Sequence, residues 1–219
     1  MSAKGRGGSS EVVSSELYPT PAWAVDLILD RVKVEAVGSI MEPCKGLGEG
    51  SIFSRVLVCL SKTIEDPIKI HWCETLENPP KDYLSFDGDV AVDLTITNPP
   101  FSLAIPFLQK SLKYSQCVVY LLRLNFLASE ERKSFFLESG LTHLYVLSRR
   151  PSFVDVCKGF PAYEVKGCKA KFQKNLSIKV CPKCGGSVGA GTDATDYAWF
   201  VWDRSVLGVM LDSPGVHWL

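Results

Sequence analysis

The chain has 219 residues, of which 46% are hydrophobic and 22% are charged, and this composition suits one globular domain with a sizeable core. Its 24 basic and 24 acidic residues give a formal net charge of zero, so binding of a nucleic acid would require a local basic patch. No apolar run approaches the ~20 residues that span a bilayer, and no apolar segment at the amino end indicates a signal peptide.

The amino-terminal segment and the cysteines add two further expectations. Residues 1–16 begin with a Gly- and Ser-rich stretch and are expected to form a flexible lead-in. The eight cysteines favour reduced thiols or a metal site in the cytosol over a secreted disulfide scaffold. We therefore expect a cytoplasmic protein with no membrane partner.

Apolar periodicity predicts a chain in which strands and helices alternate. The first helix is expected at 22–34, with Thr20 as its N-cap and Pro21 as its first helical residue. The other predicted helices are 51–61, 103–114 and 129–138. The predicted strands are 38–41, 68–73, 90–97, 117–122, 141–147 and 197–202. This alternation predicts an α/β fold with a mostly parallel sheet.

A glycine turn, Glu42-Pro43-Cys44-Lys45-Gly46-Leu47-Gly48-Glu49-Gly50, follows the first predicted strand. Glycines let the backbone approach a ligand closely, and ligands of open α/β sheets bind beyond the carboxyl ends of strands. The spacing differs from the dinucleotide fingerprint, and Glu42 would repel a pyrophosphate. A cofactor with a cationic end and no phosphate fits better, and S-adenosylmethionine is such a molecule. A purely structural turn is the alternative.

Two acidic residues follow the next predicted strand. Glu74 could accept hydrogen bonds from both ribose hydroxyls of such a cofactor, although a solvated loop acid is the alternative. Asp82 could accept the adenine amino group, with Tyr83 or Leu84 packing on the ring.

The tetrapeptide Asn98-Pro99-Pro100-Phe101 directly follows the apolar stretch 90–97. An exocyclic amine on an aromatic ring is a poor nucleophile, because its lone pair is delocalised. The side-chain oxygen of Asn98 and the carbonyl of Pro99 could each accept one N–H of such an amine. The two prolines stiffen the turn, and Phe101 can stack on the heterocycle. The alternative is an ordinary proline-rich turn at the end of a strand.

Four motifs follow one another in a recognisable order: Pro19-Thr20-Pro21, Glu42-Pro43-x-x-Gly46-x-Gly48, Asp82-Tyr83-Leu84 and Asn98-Pro99-Pro100-Phe101. This order resembles the N6-adenine class of S-adenosylmethionine-dependent amino-methyltransferases. Residues 196–202 are similar to the last strand of the small phage-type enzymes. The resemblance covers 17–153 and 192–219, and it implies a Rossmann-like class I methyltransferase fold interrupted by a Cys-rich insertion at 154–191.

The resemblance also implies a role for each motif. The methionine moiety of the cofactor would be held by Pro19, Thr20, Pro21, Glu42, Pro43, Gly46 and Gly48. The ribose would be held by Glu74, and the cofactor adenine by Asp82 and Tyr83. The catalytic turn would consist of Asn98, Pro99, Pro100 and Phe101, with Asn98 also bordering the cofactor.

The implied activity is site-specific adenine-N6 methylation of DNA, in the host cytoplasm if the protein is phage-encoded. A duplex substrate would have to flip the adenine out of the stack and onto Phe101, and single strands avoid that cost. Leu47 stands where such families often carry a polar residue, and Phe101 replaces the tyrosine of many relatives. The chain lacks a long target-recognition domain, which argues against tight sequence specificity.

Two other interpretations stay open. The adenine of ribosomal RNA and the glutamine amide of a protein present similar planar nitrogens, so the catalytic turn does not separate them from DNA. The chain could also be an inactive, zinc-bearing, nucleic-acid-binding module on the same scaffold, although the intact turn and glycine motif argue against it.

The predicted insertion at 154–191 is rich in Lys, Gly and Cys. Its Cys181-Pro182-Lys183-Cys184-Gly185-Gly186 segment resembles a zinc knuckle, and two earlier cysteines would complete a tetrahedral thiolate site. His71 or His143 could substitute, and four unrelated thiols are the alternative. The predicted zinc ligands are Cys157, Cys168, Cys181 and Cys184. The remaining cysteines are expected to be buried apolar thiols: Cys44, Cys59, Cys73 and Cys117.

Basic residues interleaved with aromatic ones surround this insertion, a pattern that favours contact with nucleic acid. A solvated lysine-rich loop is the alternative. The basic residues are Arg149, Arg150, Lys158, Lys166, Lys169, Lys171, Lys174, Lys179 and Lys183.

Overall fold

The computed structural model describes residues 20–32, 37–46, 52–61, 68–86, 90–159, 171–173, 179–183, 187–190, 195–204 and 215–218. The helices in these ranges are α1 (Ala22–Leu29), α2 (Ile52–Leu60), α3 (Ala104–Tyr114) and α4 (Glu130–Ser139). The strands are β1 (Ser39–Glu42), β2 (Lys69–Trp72), β3 (Val92–Thr97), β4 (Ser115–Arg123), β5 (His143–Val146), β6 (Val154–Gly159), β7 (Lys171–Gln173), β8 (Ser187–Ala190), β9 (Tyr197–Asp203) and β10 (Gly215–Trp218).

Seven of these strands form one sheet in the order β10-β5-β9-β4-β3-β1-β2. Six of them run in the same direction, and β9 is antiparallel to both of its neighbours, β4 and β5. Helix α2 connects β1 to β2, α3 connects β3 to β4, and α4 connects β4 to β5. The predicted α/β fold with a mostly parallel sheet is confirmed.

Strand β1 lies at the point where the connections of the sheet change direction. The chain crosses from β1 through α2 to β2 on one side, whereas β3, on the other side, leads through α3 to β4. A crevice forms beyond the carboxyl ends of strands at such a switch point. The last residues of β1 and β3, Glu42 and Thr97, border this crevice.

The centre of the sheet is built from continuous apolar runs, as burial on both faces requires. Strand β9 is buried along nearly its whole length, and two of its tryptophans anchor helices on opposite faces. The Trp199 Nε1–H donates to the Ala24 carbonyl of α1 at 2.9 Å. The Trp202 Nε1–H donates to Ser139 Oγ of α4 at 3.0 Å. These contacts hold both helical layers on the sheet.

The prediction that Thr20 is the N-cap of α1 is wrong. The helix begins at Ala22, and no side chain caps its first turn, where the Pro21 carbonyl accepts the N–H of Ala24 at 2.9 Å. The Thr20 hydroxyl instead accepts a hydrogen bond from Asn98 Nδ2, 78 residues away. The helix also ends at Leu29, before the predicted end at 34, and residues 33–36 lie outside the described part of the chain.

The strands within 154–190 form a separate antiparallel sheet in the order β7-β6-β8. The sequence pattern did not predict these strands, nor β10, which pairs with β5 at the edge of the main sheet. Strands β7, β8 and β10 have only three or four residues, so each presents too few residues for a clear alternation. In the ranges that the structure describes, no helix is long and apolar enough to cross a membrane.

Candidate active site

The predicted site residues come from segments that meet at one edge of the main sheet. Glu42 ends β1, Glu74 follows β2, and Asn98 follows β3. These three strands are neighbours, and they are parallel. Their carboxyl ends therefore bring acids and an amide to the same crevice, although the residues lie far apart in the sequence.

Glu42 is a buried acid at the centre of this edge, with only 1% of its surface exposed. Its Oε1 accepts the N–H of Cys44 at 3.0 Å. Its Oε2 and the neighbouring Thr97 Oγ1 are buried and lie outside hydrogen-bonding geometry with any described group. A buried carboxylate oxygen of this kind is costly unless a donor or cation joins it.

Burial raises the pKa of the Glu42 carboxyl from an ordinary value of 4.5 to about 8. The nearby Thr97 hydroxyl and the Cys44 N–H lower this pKa by smaller amounts, and the charge of Glu74 raises it further. A positively charged ligand at Oε2 would favour the ionised form. The site is therefore suited to a cation, as the sequence predicted for the cofactor.

Asn98 is held in one orientation by a tertiary hydrogen bond. Its Nδ2 donates to Thr20 Oγ1 at 3.0 Å. Since the nitrogen is the donor, the carbonyl oxygen is the end of the amide that can accept an N–H from a ligand. Thr20 belongs to a predicted cofactor motif, so the first and last motifs of the series are in direct contact.

The remainder of the catalytic turn leads into α3. Pro99 is buried, Pro100 is partly buried, and Phe101 begins the 3₁₀ turn that precedes the helix. The Phe101 ring packs 6.1 Å from the Tyr197 ring, centroid to centroid. The guanidinium carbon of Arg123 lies 4.4 Å from the Phe101 ring centroid. Phe101 is thus an ordered, half-buried ring with a cation stacked on it.

Glu74 holds the glycine turn against the end of β2. Its Oε2 accepts the N–H of Gly46 at 2.8 Å, and its Oε1 accepts the N–H of Leu76 at 2.9 Å. Gly46 has a φ of 69°, in the left-handed region that glycine adopts without strain. The ribose contact predicted for Glu74 would have to use the second lone pair of each oxygen.

The Asp82-Tyr83-Leu84 segment divides its side chains between the core and the surface. The Tyr83 ring is only 4% exposed and packs 5.1 Å from Phe107, while its hydroxyl bonds to Ser111 at 2.9 Å. Asp82 is exposed, and Leu84 is 37% exposed. Of the two side chains expected to pack on adenine, Leu84 is therefore the one at the surface.

Four predicted cofactor contacts remain to be placed. Pro43 is buried directly after Glu42, and Pro21 precedes α1. Pro19 and Gly48 lie outside the described residues. Their predicted contacts with the methionine moiety remain predictions.

The predicted zinc site falls largely outside the described side chains. Cys168 and Cys184 are not in the described ranges, and the side chain of Cys157 is not described either. Cys181 is buried. Among the described residues, no group of three or more His, Cys, Asp or Glu side chains could hold a metal, so the structure lends zinc no support.

The expectation that the other cysteines are buried apolar thiols is confirmed for two of the four. Cys73 and Cys117 are fully buried, whereas Cys44 and Cys59 are only partly covered. Burial raises the pKa of the Cys73 thiol to about 11 and raises the pKa of Cys117 well above its ordinary value. Thiols with raised pKa values are poor nucleophiles at neutral pH.

Sequence reasoning missed several residues at this edge. Trp72 ends β2, and the ammonium groups of Lys45 and Lys81 lie 5.0 and 4.7 Å from its ring centroid. Arg123 ends β4 and stacks on Phe101. A polar or aromatic residue at the end of a predicted strand is the one signal that could have identified Trp72 and Arg123.

Comparisons with known proteins agree with this fold. No family model and no curated protein matches the chain. Among solved structures, the "putative RNA methyltransferase PH1948 from Pyrococcus horikoshii" matches with a TM-score of 0.53 and 15% identity, over 92% of this chain and 94% of that one. Thermoplasma acidophilum 1320 matches with a TM-score of 0.35 and 11% identity, over 77% and 80% of the two chains. The first likeness shows a shared fold.

Proposed function

We propose that this protein is an S-adenosylmethionine-dependent methyltransferase that modifies the N6 amino group of adenine in DNA. The observation that carries the proposal is the meeting of two groups at the switch point of the sheet. One is the buried Glu42 carboxylate, whose Oε2 suits a cation. The other is the Asn98 amide, oriented by Thr20 and followed by a stacking ring. The fold shared with a protein described as a methyltransferase supports the same reaction class.

The residues present fit the proposed cofactor. Glu42 would bind its ammonium end, and the left-handed backbone of Gly46 lets the turn lie close to a ligand. The exposed Leu84, together with the 48% exposed Leu76, offers apolar surface to the adenine. Asp82 is exposed beside Leu84 and would accept the adenine amino group. When bound, S-adenosylmethionine supplies an activated methyl group on a sulfonium.

The catalytic turn prepares the target amine. The Asn98 side-chain oxygen and the Pro99 carbonyl each accept one N–H, which draws the nitrogen toward a pyramidal geometry with a localised lone pair. The same two dipoles stabilise the positive charge that develops on nitrogen as the new N–C bond forms, and the surplus proton leaves to water. Phe101 holds the base by stacking. The rate gain comes from alignment and electrostatics.

RNA is the second candidate substrate. The Pyrococcus protein, which shares the fold, is described as an RNA methyltransferase. An adenine amine presents the same two N–H groups in RNA and in DNA, so the Asn98 turn would act on both. A protein glutamine amide offers a similar nitrogen but no extended ring to stack on Phe101, and is therefore less favoured.

A substrate panel with purified protein and tritiated methyl donor tests the proposal. Matched single-stranded DNA, duplex DNA, RNA and a glutamine-bearing peptide would be compared for wild type and Asn98→Ala. We expect N6-methyladenine in nucleic acid with the wild type, and a loss of at least about 100-fold in Asn98→Ala. Labelling of the peptide alone would overturn the assignment of nucleic acid as the substrate. Unchanged transfer by Asn98→Ala would overturn the catalytic assignment.

We also propose a structural zinc site at Cys157, Cys168, Cys181 and Cys184 in the insertion at 154–191. The support is the spacing of Cys181 and Cys184 and the bridge between Val180, which directly precedes Cys181, and Ser187, the first residue of β8. Bound zinc would tie this turn to strand β6, which carries Cys157. Such a site would be structural and remote in role from the transfer chemistry.

A further inference from the structure

Three arginines occupy the carboxyl edge of the sheet beyond the catalytic turn. Arg123 ends β4, and Arg149 and Arg150 follow β5. Antiparallel β9 begins at this same edge, because Arg123 pairs with Tyr197 and the Leu147 N–H donates to the Tyr197 carbonyl at 3.0 Å. We call these three residues the arginine rim.

Aromatic and acidic partners hold each member of the rim in place. Arg123 stacks on Phe101, and its Nε donates to the Tyr197 hydroxyl at 3.2 Å. The guanidinium carbon of Arg149 lies 4.9 Å from the Trp23 ring centroid. Stacking uses the face of a guanidinium, while its N–H groups lie in the plane and remain suited to phosphate oxygens.

Arg150 forms an exposed ion pair with Asp196, at 2.7 Å between Nε and Oδ1. The two side chains are 52% and 54% exposed, so water screens this pair and its net stabilisation is small. Asp196 partly offsets the charge of Arg150.

The buried acids and the arginine rim occupy different parts of this edge. Glu42 and Glu74 lie over β1 and β2, the arginine rim lies over β4, β9 and β5, and Asn98 lies between them. Lys45 and Lys81 lie at the far end, over Trp72 of β2, where Lys45 pairs with Glu77. A polyanion whose base lies at Asn98 would be drawn to the adjacent rim. The chain is neutral overall, so attraction of a polyanion requires a local feature of this kind.

We propose that the arginine rim binds the phosphates that flank the target adenine in a single-stranded nucleic acid. The inference rests on the proposed function, since it places the strand by the base at Asn98. Arg123 touches the ring on which that base would stack, so the phosphates of the same nucleotide and its neighbour would reach the rim. Aromatic rings interleaved with arginines are suited to unpaired bases and their backbone.

The test compares charge removal at the two edges of the sheet. The rim variant is Arg149→Gln/Arg150→Gln, which leaves Asn98 and Phe101 intact. The control variant is Lys69→Gln/Lys113→Gln, since both lysines are exposed, Lys69 begins β2, and Lys113 lies in the last turn of α3 just before β4. Binding of a fluorescent, roughly 12-nucleotide single strand, as DNA and as RNA, would be followed by anisotropy across a salt series, with thermal unfolding as the fold control.

The rim variant is expected to bind about tenfold more weakly at low salt, with a salt slope lower by about 1.4, since each lost single-strand contact removes about 0.7. The control should keep the wild-type affinity and slope. Equal affinities and equal salt slopes for the two variants would overturn the proposal that the rim binds phosphates. Tighter binding of polyglutamate than of either oligonucleotide would also overturn it.

Asn98→Ala separates this inference from the proposed function. It should retain oligonucleotide binding and lose methyl transfer. If the wild type methylates no member of the substrate panel but the rim variant still weakens oligonucleotide binding, the methyltransferase proposal fails and the rim stands. If methylation occurs and the rim variant binds the oligonucleotide with wild-type affinity, the proposed phosphate binding by the rim is wrong and the methyltransferase proposal stands.

Discussion

Glu42 combines a stability cost with an arrangement suited to binding a cation. Its carboxyl is buried beside Thr97, and its pKa is raised to about 8 because burial disfavours the charged form. Removal of a carboxylate from water is unfavourable until a positive ligand compensates it. The residue is therefore better explained by ligand binding than by the stability of the fold.

The first prediction concerns the pH dependence of stability at Glu42. Between pH 4.5 and about 8 the folded state holds a proton that the unfolded state has lost. Stability attributable to this group therefore falls as pH rises through that window, by up to about 1.4 kcal/mol per pH unit. Glu42→Gln should lack this decrease and should also lose S-adenosylmethionine binding. Urea unfolding at several pH values and calorimetry measure the two effects.

A matched control for this prediction is Glu138→Gln, an exposed position on α4. The free energy of unfolding of this variant should depend on pH in the same way as that of the wild type. Parallel curves for wild type and Glu42→Gln would show that burial of Glu42 does not affect the pH dependence of folding.

The second prediction concerns Thr20 as a positioning residue for Asn98. Thr20→Val removes the hydroxyl that accepts from Asn98 Nδ2, and a single hydrogen bond is worth about 0.5–1.5 kcal/mol. We expect kcat to fall about 2- to 13-fold and Thr20→Ser to restore it. In an Asn98→Ala background the same change should have little further effect, because the two residues act as a unit. If Thr20→Val lowered kcat by the same factor in the wild type and in the Asn98→Ala background, the coupling between the two residues would be contradicted.

At the scale of elements, a buried hydroxyl network joins three parts of the fold. Ser111 of α3 bonds to the hydroxyls of Tyr83 and Tyr120 at 2.9 and 2.7 Å. Tyr83 belongs to the loop after β2, and Tyr120 belongs to β4. The network explains why the predicted adenine contact at Tyr83 points into the core, since its hydroxyl completes a buried set of partners.

The third prediction follows from this network. Ser111→Ala leaves two buried phenol hydroxyls without their shared partner, and should lower the free energy of unfolding by about 1–3 kcal/mol. Ser61→Ala is the comparison, because its hydroxyl bonds only locally to Val58 at an exposed position, and it should stay within about 0.5 kcal/mol of wild type. Equal urea midpoints for the two variants would refute the role of the network.

Element boundaries were predictable where periodic apolar residues were numerous. Helix α3 and strands β3, β4 and β9 were placed within about two residues, because each carries six or more residues of consistent pattern. The predicted cap at Thr20 was wrong because a distant amide competes for its hydroxyl. The small sheet of β6, β7 and β8 was missed because β7 has only three residues and β8 only four.

At the scale of the whole molecule, the sheet order places buried acids and arginines at different parts of one edge. Parallel strands place Glu42, Asn98 and Arg123 at one edge, in the order β1, β3, β4. In the proposed reaction, a cationic cofactor and an anionic polymer would approach one amide from opposite sides. A neutral chain achieves this by arranging its charges, with no excess of either sign.

The fourth prediction concerns the metal content of the whole chain. If the cysteine insertion holds zinc, purified wild type should contain about one zinc per chain by mass spectrometry, and Cys181→Ser/Cys184→Ser should contain none. Cys59→Ser, at a partly covered thiol on α2, should keep the metal. Wild type purified without chelator but free of zinc would reject the site.

The sequence by itself determined the alternation of strands and helices and the identities of the groups that close β1 and β3, because apolar periodicity and strand-end residues are local properties. Only the tertiary structure decided that Glu42 and Asn98 lie at the ends of neighbouring strands, that Thr20 orients the amide, and that Arg123 stacks on Phe101. The physical reason is that strand order and long-range hydrogen bonds arise from pairing between distant segments. No local pattern of residues encodes which strand will lie beside which.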